Sequence, residues 1–577
     1  GAAAKRPADF AAFAAELFRA MQHPGGRVGY QPVQWFNGGL FDDDAALPLE
    51  AADIADLSRA AALDWSEIDP SIMGTLFERG LNPDKRAQLG AHYTDREKIE
   101  RLIDPVIRRP LLAEWAEAKA GIAAALARAE AAKSHGPKRT ARNLAASTYR
   151  QFLDRVRAFR VLDPACGSGN FLYLALLALK DLELQASVEA EALGLPPEFP
   201  QVGPEAVLGI ELDPYAAELA RVAVWVGHIQ WARRHGMPPP AEPVLRKLDT
   251  IECRDAVLAP DGTPAAWPKV DAIVGNPPFL GGKRMRRALG DDYCDRLFAA
   301  YGGTVPAEAD LVCYWVANAL GAVTNGRADR AGLVTTNSVR GGANRKVLDR
   351  VVVEVRLFEA WADEAWILDG AAVRVSLIGF GVPTVTDPAR LDGNPVPRIH
   401  ADLTAELFDL TRAARLPENR DVAFMGDTKG GAFDVPGELA RAWLALPTNP
   451  NGRPNADVLR PWANGMDVTR RSSDTWIIDF GWQMSEPEAS FFAAPFAQVV
   501  IAVRPVRLNN KRESYARMWW RHVEARQGMH RALATVGRFI VTPTVAKHRL
   551  FAWMPRSVLA DHQLIAIARD DDTTFGI

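Results

Sequence analysis

The sequence predicts an α/β protein: a Rossmann-like, doubly wound sheet, with an N-terminal helical region before it and a C-terminal α+β region after it. Three observations carry this expectation. Short apolar runs end abruptly in polar residues, at Asp163, Glu211 and Asn276. Segments with helical periodicity separate those runs, and a glycine-rich turn joins the first run to a helix. Strands alternating with helices imply a parallel sheet, whose ligands gather at the carboxyl ends of the strands.

The elements follow in order. Residues 1 to about 85 read as short helices around the turn-rich loop Trp35 to Phe41. From about 97 to 158, an Ala-rich, charge-laced stretch reads as two long helices broken near Ser134-His135-Gly136-Pro137. These helices are expected to form a prop or lid rather than a catalytic element. A strand ending in Arg160-Val161-Leu162 leads into the loop Asp163 to Asn170 and the helix Phe171 to Leu179. A second strand, Ala206 to Ile210, ends at Glu211 and feeds the helix Tyr215 to Trp231. A third, Ile251 to Cys253, precedes Asp255, and a fourth, Val270 to Gly275, ends at Asn276. Gly332 to Thr336 and Val375 to Phe380 complete the expected strands. After about 385, proline, glycine, arginine and aromatic residues increase, and a boundary is expected there. The predicted division is therefore 1–85, 86–385 (with a helical insertion at about 110–158) and 386–577. The chain lacks an initial Met and ends in DDDTTFGI, so its last region is expected to be incomplete.

Composition narrows the function classes. Hydrophobic residues make up 48% of the 577 residues and charged residues 24%, as in ordinary globular proteins. No run approaches the ~18 apolar residues of a membrane span, and no secretion signal is visible. The four cysteines have no metal-site or redox spacing, which suits a reducing cytoplasm and predicts no metal. A net charge of -3 weakly disfavours a polyanion partner. Between Arg504 and Arg549, however, eleven basic residues, Arg512 and Arg517 among them, are interleaved with Tyr515, Trp519, Trp520 and His530. That pattern predicts a polyanion-binding surface.

The loop Asp163-Pro164-Ala165-Cys166-Gly167-Ser168-Gly169-Asn170 sits between strand and helix. Gly167 and Gly169 permit a tight turn and let backbone N–H groups approach a ligand. The helix N-terminus suits a carboxylate, and Asp163 can take an ammonium group. An amino-acid-like nucleotide such as S-adenosylmethionine fits this better than a dinucleotide, because Leu172 breaks the three-glycine pattern. Glu211 is placed to accept from both ribose hydroxyls. It lies far beyond the usual ~20-residue spacing, so residues 181 to 205 are expected to be an insertion. Asp255 is the candidate for the adenine amino group, with Asp249 as its rival.

Asn276-Pro277-Pro278-Phe279 follows an apolar strand. An exocyclic amine is a poor nucleophile, because its lone pair is delocalised into the ring. The Asn276 side-chain oxygen and the Pro277 carbonyl could hold both amine hydrogens and turn the lone pair toward a methyl donor. Pro277 and Pro278 would stiffen the loop, and Phe279 would stack on a base. A duplex base would have to be flipped out to reach such a pocket.

With these loops placed, the chain resembles the gamma class of DNA adenine-N6 methyltransferases. More narrowly, it is similar to the large enzymes of type IIL restriction–modification and related phage-defence systems. The resemblance rests on FNGGLF (36–41), GAHYT (90–94), LDPACGSGNFL (162–172), GIELDP (209–214), GNPPFLGGK (275–283), DLVCYW (310–315) and TTNSVRGGANR (335–345). It implies S-adenosylmethionine as cofactor, held by Tyr93, Thr94, Asp163, Pro164, Ala165, Gly167, Gly169, Asn170, Glu211, Leu212 and Asp255. It implies Asn276 to Phe279 as the catalytic loop and a target-recognition domain past 385. Double-stranded DNA is the expected partner, with Arg340, Arg345, Arg512 and Arg517 as candidate contacts. Partner subunits of a defence system are a further expectation. Some relatives carry a nuclease, but Asp42-Asp43-Asp44 has no suitably spaced E-x-K and reads as a surface turn.

Overall fold

The computed structural model describes residues 6–35, 41, 43–64, 68–70, 96–237, 248–368, 371–405, 416–510 and 512–576, with only the backbone at 367, 368, 371 and 372. Two compact units, Gly1–Thr411 and Arg412–Ile577, divide the chain. The boundary falls beyond the expected change near 385. One reason is that the strand Arg390–Leu391 still pairs with the large sheet of the first unit.

That sheet has nine strands: β1 (Val161–Asp163), β2 (Val207–Glu211), β3 (Ile251–Cys253), β4 (Ala272–Gly275), β5 (Arg330–Thr336), β6 (Arg356–Leu368), β7 (Ala371–Gly381), β8 (Arg390–Leu391) and β9 (Asn394–Pro395). Their spatial order is β9-β8-β6-β7-β5-β4-β1-β2-β3. Strands β1 to β5 are mutually parallel, as expected for the doubly wound fold. The sheet is nonetheless mixed, because β7 lies antiparallel between β5 and β6. Strand β6 was not anticipated; its RLFEAWADEAWIL sequence mixes charge with apolar residues. Its acidic Glu359 is buried and paired with Arg109 at 2.8 Å, which explains a charge inside the sheet.

Side chains alternate across the sheet. Val161, Ala272, Val274 and Val334 join one apolar core, while Leu162, Ile273, Ala331 and Leu333 join the other. The first core is covered by α1 (Arg96–Ile103), α2 (Arg109–Ala131), α3 (His135–Ala158), α4 (Asn170–Ala192) and α5 (Pro214–Arg234). The second is covered by α6 (Gly282–Leu289), α7 (Asp291–Ala300), α8 (Val312–Thr324) and α9 (Gly342–Glu354).

The two long helices predicted over 97 to 158 are present, and the break falls just before His135. Between α1 and α2 the chain widens into a π-helical turn, Asp104–Arg108. Pro105 and Pro110 lack N–H donors, so normal i→i−4 bonding cannot run through this point. Trp115 anchors α2 to α4 through Nε1 and Glu189 Oε2 at 2.7 Å. The predicted insertion at 181–205 is corrected in part, because α4 simply continues to Ala192. Glu183 on that extension is buried, paired with Arg157 at 2.6 Å and accepting from the Gln201 and Val202 N–H groups. These bonds fold residues 193–206 back along the helix.

The second unit contains two four-stranded sheets. Strands β10 (Ala423–Met425), β14 (Arg538–Pro543), β15 (Ala552–Pro555) and β17 (Leu564–Ile567) form one, in the order β10-β17-β14-β15. Strands β11 (Asp434–Pro436), β12 (Leu459–Ala463), β13 (Thr475–Ile478) and β16 (Leu559–Ala560) form the other, in the order β11-β13-β12-β16. At its centre Asp427 is fully buried, with Oδ2 2.8 Å from His530 Nε2 and 3.9 Å from His522 Nδ1. Burial opposes ionisation of Asp427, but His522 and His530 outweigh it and hold the carboxyl well below its usual range. Burial likewise opposes charge on His522, yet the Asp427 carboxylate wins and raises it. The Asp427 contribution is present above an unfolded value of ~4 and is lost as pH falls through the lower folded value. The His522 contribution is present below ~6.5 and is lost as pH rises through the higher folded value. Calorimetry should therefore show the stability gap between wild type and Asp427→Asn widest at about pH 4 to 6.5, narrowing on both sides.

Candidate active site

The end of β1 turns directly into the glycine loop. Asp163 is 1% exposed, and its Oδ1 accepts the Ala165 N–H at 3.0 Å. Burial pushes this carboxyl up to about 8; the Ala165 N–H opposes the shift, and the Glu211 carboxylate adds to it. Gly167 and Gly169 both take left-handed conformations, with φ of 51° and 87°. A side chain at Gly169 would also collide with the Ala220 backbone of α5, its Cβ only 2.8 Å from Cα. Gly169 is the N-cap of α4, and no side chain caps that helix. Asn170 begins α4 with a buried Oδ1 that has no hydrogen-bond partner among the described residues. The Pro164 carbonyl is held from α8 by Trp315 Nε1 at 2.9 Å.

Glu211 closes β2 and braces the loop. Its Oε2 accepts from Gly167 N at 2.9 Å, and its Oε1 accepts from Leu212 N at 2.8 Å and Asp213 N at 2.9 Å. Burial raises its pKa against those three bonds. Leu212 beside it is 59% exposed, an apolar surface at the lip of the site. Asp255 follows β3, but much of its carboxylate has structural work. Oδ1 accepts from Val257 N and Leu258 N at 2.8 and 3.0 Å, and Oδ2 from the Tyr293 hydroxyl at 2.8 Å. The rival Asp249 precedes β3. In a parallel sheet this puts it at the edge opposite Asp163 and Glu211.

The acceptor loop leaves β4, the strand paired with β1. Gly275 packs so closely on Asp163 that a Cβ there would lie 2.5 Å from Asp163 Oδ1. Asn276 therefore starts immediately beside the buried acid. Pro277 is buried, Asn276 and Pro278 are partly so, and half-buried Phe279 packs against the cores on both faces of the sheet. Sequence reasoning assigned no role to Trp315, Tyr293 or Asp310. Trp315 and Asp310 lie in the DLVCYW segment, whose only signal was its match to a motif. Tyr93 and Thr94, with most of the FNGGLF loop, lie outside the described residues.

The basic candidates divide. Arg340 donates from Nε to the Asp402 carbonyl at 2.9 Å, and Arg345 pairs with Asp349 at 3.4 Å; both line an open depression of about 730 Å³ beside the acceptor loop. Arg517 is exposed, and so is Arg512, which bonds the Tyr515 hydroxyl at 2.7 Å. The expected basic aromatic surface is corrected for much of its length. Trp519 and Trp520 are core residues, and Arg507 is buried with its guanidinium on the Lys429 and Arg521 carbonyls. Arg521 likewise serves the carbonyls of Trp482, Gln483 and Met484. A cleft of about 680 Å³ in the second unit, lined in part by Arg470, Lys547 and His548, has a more open basic character.

Residues 138–390 match the family described as MmeI, DNA-methyltransferase domain. Over 332 residues the chain is 25% identical to DNA methyltransferase A of Bacillus subtilis (strain 168), covering 55% of this chain and 34% of that protein. The chain thus spans about a third of that relative's length. Among solved structures, the type IIL restriction-modification enzyme MmeI, determined in complex with DNA, superposes with a TM-score of 0.72 at 21% identity. That superposition covers 99% of this chain and 76% of that enzyme and establishes a shared fold. Among the described residues no helix is long and apolar enough to cross a membrane. The chain resembles the large type IIL restriction–modification enzymes, and the resemblance centres on residues 138–390, the segment matched by the MmeI DNA-methyltransferase domain.

Proposed function

We propose that this chain is an S-adenosylmethionine-dependent DNA methyltransferase that modifies adenine N6 in a specific duplex sequence, within a restriction–modification or phage-defence system. The observation that carries the reading is the contact between the two loops. Gly275, the residue before Asn276, lies against the Asp163 carboxylate at the head of the glycine loop. A donor held by one loop and an amine held by the other would meet at the carboxyl ends of β1 and β4. The adenine preference, the defence role and a double-stranded target follow from the motif resemblance, and DNA as partner is supported by the relatives' descriptions.

The residues present fit the cofactor. Asp163 is a buried acceptor suited to an ammonium group. The uncapped N-terminus of α4 suits a carboxylate, and buried Asn170 Oδ1 offers an unused acceptor. Glu211 keeps lone pairs for hydroxyl donors, and exposed Leu212 gives an apolar face for a purine. Asp255 keeps capacity for an exocyclic amine beside its Tyr293 bond. When bound, the cofactor supplies an electrophilic methyl group. Asn276 and the Pro277 carbonyl orient the target amine, the prolines hold that geometry, and Phe279 offers its ring to the flipped base. Arg340, Arg345, Arg512 and Arg517, with the cleft bearing Arg470 and Lys547, would contribute phosphate contacts in this reading.

Incubation with labelled donor and unmethylated bacterial DNA, followed by nucleoside analysis, is expected to give N6-methyladenine. N4-methylcytosine would revise the base, and label found only in protein or RNA, or in nothing, would overturn the reading. Asn276→Ala should cut transfer at least ~100-fold while leaving donor affinity nearly unchanged. Asp163 must be ionised to hold an ammonium, so donor affinity measured by calorimetry should tighten up to about tenfold per pH unit as pH rises toward 8. A flat profile over that range would remove the assigned role of Asp163.

A further inference from the structure

The acceptor loop is held from behind by a second layer of polar contacts. Asp310 Oδ1 accepts the Gly282 N–H at 3.2 Å, and the neighbouring Leu311 N–H donates to the Leu280 carbonyl at 2.8 Å. Gly282 lies flush on this segment, since a Cβ there would sit 2.3 Å from the Glu308 carbonyl oxygen. The other Asp310 oxygen gathers three donors from the end of β5 and the turn into α9. They are Thr336 Oγ1 at 3.2 Å, Ser338 Oγ at 2.5 Å and Asn344 Nδ2 at 2.9 Å. Asn344, itself buried, returns the bond by accepting the Asp310 N–H at 2.7 Å. One carboxylate therefore ties the far end of the acceptor loop to the end of β5 and to the turn and helix that follow it.

We propose that Asp310 is a positioning residue for methyl transfer: it fixes the acceptor loop through Gly282 and Leu280 so that Asn276 to Phe279 keep their reactive geometry. This rests on the function proposed above. The physical basis is the acceptor-only character of a carboxylate. All four partners are donors, so replacement by Asn must turn an amino group toward either Gly282 or the trio from Thr336, Ser338 and Asn344. Either the Gly282 bond is lost or, with the two hydroxyls reversed, the amino group faces the Asn344 amide donor; the tie is weakened at one end while the size of the side chain is preserved. A displacement of about 1 Å at a site that works by orientation costs about 100-fold in rate. The Asn344 reciprocity also defines a repair. In the double variant Asp310→Asn/Asn344→Asp, the amide introduced at position 310 accepts from Gly282 and donates to the carboxylate introduced at position 344. That carboxylate still accepts the backbone N–H of position 310; the amide's second hydrogen serves one of the two hydroxyls, and the other hydroxyl can donate to the new carboxylate.

The test uses the full chain with unmethylated duplex DNA. Asp310→Asn is expected to lower kcat about 10- to 100-fold, with KM for DNA and affinity for the donor within about twofold of wild type. Amide hydrogen exchange is expected to quicken across 276–282 while β1 and β4 remain protected, and the double variant should recover both kcat and protection. Unchanged kcat with unchanged exchange in Asp310→Asn would overturn the proposal. So would exchange quickening throughout the sheet, which marks a purely structural role, or a double variant that recovers neither property. If the wild-type protein methylates no DNA, the functional reading fails by itself. The exchange of the 276–282 segment in the single and double variants then still decides whether Asp310 positions the loop.

Discussion

The first unit is organised around a carboxylate buried at the end of a central strand. Asp163 has little water and one backbone donor, with the Glu211 carboxylate close enough to repel its charge. Leaving an unpaired charge in such a place costs several kcal/mol, so the group retains its proton near neutrality. The cationic ligand proposed for this loop would reverse that balance. The surrounding bonds hold the buried group in place. Gly167 N–H is satisfied by Glu211, Pro164 O by Trp315, and the close approach of Gly275 leaves no room for relaxation.

That rigidity depends on both faces of the sheet. One face is propped by α2 and α3, and Trp115 of α2 locks onto Glu189 near the far end of α4, the helix that the glycine loop begins. The other is covered by α8, which sends Trp315 into the loop and carries the Asp310-Leu311 segment at its start. Donor and acceptor loops are therefore both braced from α8 and the turn that begins it, and they share the β1–β4 pairing. Fully buried side chains such as Val274 and Leu333 contribute roughly 1.5–3 kcal/mol each, and half-buried Phe279 joins the cores on both faces.

The sequence made the parallel half of this sheet legible because its strands are short, apolar and terminated by distinctive residues. Asp163, Glu211 and Asn276 could be placed for that reason, and all three lie at the predicted strand ends. Three features were less visible. Strand β6 carries Glu359 and alternating charge, and only the distant Arg109 makes that pattern compatible with a sheet. Residues 181 to 205 read as an insertion because Glu211 lies so far beyond the glycine loop, yet α4 simply runs on to Ala192 with polar Lys180 and Glu183 on it. Both prove to be buried, satisfied by Arg157 and by backbone groups. The arginine-rich segment misled for a related reason: charge counts do not distinguish an arginine facing solvent from one, such as Arg507 or Arg521, that satisfies orphan carbonyls inside a domain. The bracing role of Asp310 was unreadable because its partners lie in two other stretches of chain, Gly282 and the 336–344 segment, that only the fold brings to it.

The two halves of the proposed site work by different physics, and this orders their sensitivities. The donor half contains two carboxyls raised by burial, Asp163 and Glu211, so proton occupancy would control how Asp163 receives the proposed cationic ligand. The acceptor half, Asn276 to Phe279, contains no titratable side chain. Its influence on a delocalised amine can come only from where its oxygens and ring stand, which makes fixed geometry the controlling variable. A loop of this kind gains nothing from a tuned pKa and everything from support at its far end. The concentration of donors on Asp310, on the side of the loop away from the glycine turn, answers that requirement.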